Sequence, residues 1–417
     1  MSISEIYSGH DPLLVKAPVS LAELRELVQE SRQESRAIYP LGGSTMLGLG
    51  WPGSKRGTIV DLQAIREVID YPARDMTITV QAGITVDQLQ KVLQAERQQL
   101  AVDIPLPESA TLGGAIATNA SGSRRFGYGT LRDYIIGIRV VNDLGQEVSA
   151  GGRVVKNVAG YDMMKLYTGS LGTLGIITQV TLKLKPIPES SSMIVIPASL
   201  DLVPSILEKL LVSSTRPILI DYLNRSALCL IEEKHHLNLL PTNGQTGAIV
   251  IGYADNFKAV FWQTKQCQDE LGSLVRDIHE CTDGERLQLS AILRDFQLDE
   301  NSELSLKANM VPSGVVEWCH QAQTLCPEIR FQVHAGNGIV YAHLNIEEIG
   351  SCTRVLRELT ESAFKQNGNV TITRCPQAHK SALAIWGQER ADLKLMKKIK
   401  QTLDPNNIFN PGRFVVG

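Results

Sequence analysis

Along the first 190 residues the apolar positions keep changing period, from every third or fourth residue to every second, and this alternation sets a mixed helix and strand reading. Ser20-Leu21-Ala22-Glu23 is a capping box that opens a helix with Leu21, Leu24, Leu27 and Val28 on one face. Thr85-Val86-Asp87-Gln88 repeats the device and turns Val86, Leu89, Val92 and Leu93 inward. Between the two helices, Thr58 to Leu62 and Met76 to Ala82 read as strands, and β-branched runs at Ile135 to Val141 and Ile176 to Leu184 continue the pattern.

Pro186 and Pro188 then interrupt the chain, and glycine thins out beyond them, which predicts a domain boundary near Glu189. After it, Met193 to Ile196, Ile218 to Leu223, Ala248 to Tyr253, Arg330 to His334 and Ile339 to Leu344 are strand candidates interspersed with helices such as Phe257 to Leu271. Such a mixture predicts an α+β domain with an antiparallel sheet. One more helix, Arg390 to Leu403, is stopped by Asp404-Pro405. The expected division is 1–189, 190–370 and a C-terminal segment, 371–417.

Composition narrows the classes. A chain of 417 residues, 43% hydrophobic and 20% charged, is that of a soluble globular protein with more than one core. Its net charge of -3 gives no general attraction to nucleic acid or to anionic lipid. No basic and apolar leader opens the sequence and no run is long enough to span a bilayer, so a cytoplasmic location is expected. The seven cysteines contain no C-x-x-C, which argues against a cysteine-held iron-sulfur cluster; electrons leaving this chain need an outside carrier.

Three segments are rich in glycine and small polar residues: Pro40-Leu41-Gly42-Gly43-Ser44-Thr45, Thr111 to Gly122 (TLGGAIATNASG), and Gly169-Ser170-Leu171-Gly172-Thr173-Leu174-Gly175. Without a Cβ, glycine lets successive backbone N–H groups converge on an anion, while Ser, Thr and Asn complete the coordination. One such segment is most simply a tight turn; three at strand ends point to a pyrophosphate. None is a G-x-G-x-x-G fingerprint or a Walker A loop.

The second segment, followed by Phe126-Gly127-Tyr128-Gly129 and Arg132-Asp133, resembles the second FAD-binding signature of the vanillyl-alcohol oxidase superfamily, the PCMH-type FAD-binding fold, and Pro40 to Thr45 resembles its first. Lys156 to Thr178 (KNVAGYDMMKLYTGSLGTLGIIT) is similar to the branch that oxidises 2-hydroxy acids, in particular to flavin subunits of glycolate-oxidising complexes; Asp404 to Arg413 has the superfamily's ending. The resemblance implies an α+β protein: a two-lobed FAD-binding domain, an α+β cap domain with an antiparallel sheet, and a tail returning to the flavin. It assigns the cofactor to Pro40, Gly42, Gly43, Ser44, Thr45, Thr111, Gly113, Gly114, Ala117, Asn119, Gly122, Gly127, Asp133, Gly172 and Gly175, with Ile177 near the adenine and Asn410 near the flavin ring. Covalent attachment in this superfamily uses a histidine in the first loop or a cysteine after the second. Residues 101–190 contain neither, and the first loop reads Gly42-Gly43-Ser44-Thr45-Met46, so the FAD is expected to be non-covalent.

The hydroxy-acid branch often carries a metal on a hairpin H-x-G-D-G-N-x-H. Here the chain reads His334-Ala335-Gly336-Asn337-Gly338-Ile339-Val340-Tyr341-Ala342-His343. A two-residue Asn337-Gly338 turn would pair His334 with Tyr341 and His343 with Gln332. The two histidines would then form a diagonal pair about 7 to 8 Å apart. With Tyr341 in the second ligand's place and Asn337 for the aspartate, no metal is expected. Oxidising a 2-hydroxy acid needs a base for the hydroxyl and a cation for the carboxylate. Arg374 and His379 are the first candidates, and His334 and Tyr341 are hydrogen-bonding groups around the substrate.

Three functions follow: a subunit of a glycolate dehydrogenase with a related flavin subunit and an iron-sulfur subunit, bound to the inner membrane only through them; a self-sufficient D-lactate-type dehydrogenase; or a non-catalytic FAD-binding assembly or electron-relay subunit.

Overall fold

The computed structural model describes residues 14–153, 160–237, 246–275, 277–299, 302–345 and 349–414; Lys156 to Ala159 of the quoted run lie outside them. Contacts divide the chain into two units, each discontinuous in sequence. The first comprises Met1–Ser121, Thr130–Ile187 and Glu389–Gly417, the second Gly122–Gly129 and Pro188–Gln388. Two steps thus fall at places the sequence division does not mark. Gly122–Gly129 goes with the second unit, and the chain stays there past 370 because Asn369–Arg374 is an edge strand of its sheet.

In the first unit a three-stranded parallel sheet runs in the order Leu14–Lys16, Gly57–Asp61, Ala37–Leu41. A five-stranded antiparallel sheet runs Val68–Asp70, Thr77–Gln81, Ile176–Lys183, Ile135–Val141, Glu147–Gly151. The helix Leu21–Gln33 starts where the cap predicts, with Ser20 Oγ accepting from the Glu23 N–H at 3.2 Å. The Glu23 carboxylate, however, takes the N–H of Val19 and not that of Ser20. At Thr85 the box closes in both directions. Leu24 and Val28 pack with Ile38, Val60, Val141, Ile176, Ile408 and Phe409, so one core joins this helix, strands of both sheets and the C-terminal tail.

The second unit is built on an eight-stranded antiparallel sheet. Its order is His279–Glu280, Ser190–Ala198, Gly247–Asp255, Leu219–Leu223, Arg330–His334, Ile339–Leu344, Leu304–Asn309, Asn369–Arg374. Leu219, Leu223, Ala248, Val250, Met193 and Val195 share one face with the helices Arg225–His235 and Asp283–Asp295. No helix is long and apolar enough to cross a membrane among the described residues.

Candidate functional site

Two adjoining, half-open clefts in the first unit, about 470 and 580 Å³ with the solvent at their mouths included, share Pro40, Leu41, Gly42, Thr111, Gly114, Ala117, Leu171 and Asn410. All three glycine-rich segments contribute: Gly43, Ser44 and Thr45 line one cleft, and Gly113, Gly172, Gly175 and Ile177 the other. The first segment has no room for side chains. A Cβ on Gly42 would lie 2.1 Å from Thr111 Oγ1, and one on Gly43 would lie 1.6 Å from the Ser109 carbonyl oxygen. The backbone N–H groups of Gly42, Gly43, Ser44 and Thr45 find no acceptor among the described residues. They form the donor set an anion requires. The second segment behaves differently, since its Leu112, Gly113 and Gly114 N–H groups already bond Ile84 O, Ala82 O and Thr111 Oγ1. Its part is shape.

Strain gathers at the same place. Ser44, Leu171 and Asn410 are non-glycine residues at φ 61°, 53° and 42°, and all three line a cleft. A left-handed side-chain residue persists only where its surroundings hold it. For Asn410 the tethers are visible: its N–H bonds Ile38 O (2.9 Å) and its Nδ2 donates to Leu171 O (2.7 Å). Behind it the buried Lys400 ammonium pairs with Asp404 and donates to Thr173 O (2.8 Å) and Phe409 O (2.9 Å). The Asp404 carboxylate in turn accepts from the N–H groups of Ile408 and Phe409. One ion pair therefore holds the third glycine segment and the tail in register.

Asn119, Gly122, Gly127 and Asp133 do not line the clefts. Asp133 closes a capping box on Thr130 (2.8 Å to its N–H), and that bond first of all lowers its pKa. Gly127 is small because its backbone lies against Ile218, where a Cβ would meet Ile218 Cα at 2.7 Å. Asn119, left-handed at the end of the helix Leu112–Thr118, keeps a buried side-chain oxygen without a partner among the described residues, as does Ser170 Oγ. Such acceptors and hydroxyls fit a polar ligand in contact with the second and third segments. The sequence reading omits Leu41, Met46, Leu47, Leu62, Ala82, Leu171, Ile176 and Arg413 from the lining. Apart from Arg413 these are apolar residues that in sequence look like core. Arg413 reaches Trp51 O, Leu47 O and Leu49 O, tying the loop after the first segment to the tail.

The second unit carries a separate cluster on its sheet. The hairpin register differs from the one the two-residue turn predicts: Arg330 pairs with His343, Gln332 with Tyr341 and His334 with Ile339, around a 3-10 turn at Ala335–Asn337. Four residues, not two, make the turn, because Gly338 alone takes the left-handed conformation (φ 67°). His334 and His343 thus stand four positions apart along the ladder, about 13 Å at the rise of a strand, too far to share one ion. His343 Nε2 donates to Phe296 O (2.7 Å), and Nδ1 and Ser305 Oγ share a hydrogen bond (2.8 Å). Burial above all lowers its pKa to about 4.

By strand alternation Asp221, Gln332, His334, Tyr341, Lys307, His343 and Ser305 share one face. Asp221, fully buried, accepts from Ser123 Oγ and from Gln332 Nε2 (2.7 Å), so the segment Gly122–Gly129 is bonded to this face. His334 is 2% exposed, and neither ring nitrogen has a hydrogen-bond partner among the described residues. Tyr341 meets it edge-on at 5.3 Å between ring centres, and the Lys307 ammonium lies 5.5 Å from the tyrosine ring. Burial first, then the charges of Lys307 and Arg125, hold the His334 pKa at about 3. Arg374, opposite Ser305, donates to Asp299 O at 3.2 Å. His379 is half-buried on the 3-10 helix Gln377–Ala382. Lys307, Arg125 and Asp221 were not singled out in sequence; only the lone Asp221 inside the apolar run Leu219–Leu223 offered a signal.

Residues 12–151 match the FAD binding domain family, and residues 351–414 match the C-terminal domain of FAD linked oxidases. The chain is 26% identical to glycolate oxidase subunit GlcD of Bacillus subtilis (strain 168) over 96% of its length and 88% of that protein's. It is 27% identical to a D-lactate dehydrogenase of Archaeoglobus fulgidus, over 96% and 91%. With glycolate oxidase subunit GlcE of Escherichia coli (strain K12) it shares 32% identity over 40% of its length and 48% of that protein's. A crystal structure of p-cresol methylhydroxylase with substrate bound superimposes with a TM-score of 0.72 at 17% identity, covering 96% of this chain and 88% of that one.

Proposed function

We propose that this chain, which carries an FAD binding domain, a C-terminal domain of FAD linked oxidases and the fold of p-cresol methylhydroxylase, is an FAD-dependent oxidoreductase that oxidises a small 2-hydroxy acid, glycolate to glyoxylate, as one flavin subunit of a multi-subunit dehydrogenase. FAD, when bound, supplies the two-electron acceptor. Its pyrophosphate suits the unbonded N–H groups of Gly42 to Thr45, and the apolar lining of Leu62, Ile176 and Ile177 suits a flat ring system. The attachment is non-covalent in this reading, since no histidine, cysteine or tyrosine lines the clefts.

One observation carries the substrate assignment: a buried, unbonded imidazole at His334, held neutral first by burial and then by two neighbouring cations. A 2-hydroxy acid offers a carboxylate for Lys307 or Arg125 and a hydroxyl for the imidazole, whereas Arg374 stands at the His343 end of the ladder. A carboxylate beside Lys307 and Arg125 offsets the charges that hold His334 down, so the base strengthens as substrate arrives. Tyr341 orients the His334 ring, and His379 is the alternative base. Glycolate is put first on the likeness to glycolate oxidase subunits GlcD and GlcE, and the D-lactate dehydrogenases among the relatives make D-lactate the second substrate to test. A related flavin subunit and an iron-sulfur subunit would then take the electrons.

The test is anaerobic mixing of the FAD-loaded chain with glycolate or D-lactate, followed by flavin absorbance and dye reduction. Glycolate should bleach the flavin, and His334→Gln should slow the bleaching by about 10²- to 10⁴-fold, the usual contribution of a positioned base. A flavin that no 2-hydroxy acid bleaches, alone or with partner subunits added, overturns the proposal and leaves the electron-relay reading. Full turnover by the isolated chain with D-lactate alone favours the self-sufficient one.

A further inference from the structure

Away from the clefts and the His334 cluster, the edge of the eight-stranded sheet brings three different metal-ligating side chains together. His279 and Cys281 follow the edge strand His279–Glu280 in i, i+2 spacing, which puts both on one side of the backbone; the Cys281 N–H extends the pairing to Met193 O at 2.9 Å. The chain turns at once into the helix Asp283–Asp295, whose N-cap is Thr282 and whose third residue is Glu285. In this capping box Glu285 Oε2 accepts from the Thr282 N–H at 2.7 Å, which leaves Oε1 directed at His279 Nε2, 3.3 Å away. One imidazole nitrogen, one thiol sulfur and one carboxylate oxygen from these residues all lie within 4.8 Å of one another.

We propose that His279, Cys281 and Glu285 form a zinc site, with water or an exogenous group as fourth ligand. Two ligand atoms about 2.0 Å from one tetrahedral ion are about 3.3 Å apart, which is the separation already present between His279 Nε2 and Glu285 Oε1. The sulfur lies within 4.8 Å of both other ligand atoms. The ligand types are those of zinc, soft enough for sulfur and content with nitrogen and oxygen. Charge agrees as well. Zn²⁺ displaces the thiol proton to solvent, and with one thiolate and one carboxylate the complex is neutral, as a half-buried position requires. The imidazole is 40% and the carboxylate 26% exposed, so an ion has a path in. Cys281 packs against the core formed by the helices Arg225–His235 and Asp283–Asp295. A bound ion would pin the sheet edge to the second of these helices.

The experiment uses the FAD-loaded chain, stripped with chelator and titrated with Zn²⁺ against a chromogenic competitor. About one zinc per chain is expected, with affinity lowered at least 100-fold in His279→Ala and in Cys281→Ser. Glu285→Gln, which keeps the cap, should weaken it less. Absence of competitive zinc binding, or affinity unchanged in both ligand variants, overturns the proposal. A second measurement needs no variant: zinc should slow alkylation of Cys281, followed by peptide mass, while leaving the exposed Cys229 unaffected. Equal labelling of Cys281 with and without zinc counts against the site.

Discussion

Gly42 shows how much can rest on a missing methyl group. A Cβ there collides with Thr111 Oγ1, the atom that caps Gly114, so alanine cannot enter without moving the wall of both clefts. We expect Gly42→Ala to weaken FAD binding at least tenfold, about 1.4 kcal/mol, measured as flavin retained per chain, and Gly42→Ala with Thr111→Ala to recover part of the loss. Acid precipitation of the loaded wild type should release all its flavin into the supernatant; flavin that stays with the pellet would show a covalent link. At this scale the glycine segments were legible because so few residues tolerate their backbones. Asn119, Gly122, Gly127 and Asp133 were assigned to the cofactor on the same signature and lie outside the cleft lining, where Asp133 serves a helix start and Gly127 a close backbone contact. Lys307 and Arg125 were invisible for the opposite reason: a basic residue in a strand or loop is ordinary until its neighbours are known.

Strands and helices were read well where periodicity was long, as at Leu21–Gln33, Phe257–Leu271 and Ile135–Val141. The hairpin was read with the wrong register, because Asn-Gly is also compatible with a longer turn in which only the glycine is left-handed. That one difference moves His343 from beside His334 to the far end of the ladder. The C-terminal helix Leu393–Leu403 matters through Lys400. Lys400→Met removes the partner of a buried carboxylate and the donor to Thr173 and Phe409 carbonyls. It should cost about 3 to 5 kcal/mol in denaturant unfolding. Flavin affinity should fall with it, since Asn410 and Leu171 lose their common support.

For the molecule as a whole, two buried neutral histidines make stability depend on pH in a defined direction. Unfolding returns His334 and His343 to an ordinary pKa near 6.5, while folding holds them at about 3 and about 4. The unfolded state therefore binds more protons below pH 6.5. The stabilisation that depends on their neutrality is intact above pH 6.5 and is lost as pH falls toward 4, by up to about 1.4 kcal/mol per pH unit for each group. Urea midpoints between pH 7 and pH 4.5 should show the slope, reduced by about half in His343→Gln. The fold class could be read from pattern and motif, but the exchange of segments between the two units could not, because it follows from which surfaces each segment buries.

That exchange governs how the protein is made. The chain passes from one unit to the other and back twice, and the first unit needs its last residues: Phe409 in its core and Asn410 at the cleft. On a ribosome the second unit has all its strands in hand before the first can close. A nascent chain arrested short of residue 410 should hold no flavin, however long it is given, and cofactor capture becomes the closing event of synthesis.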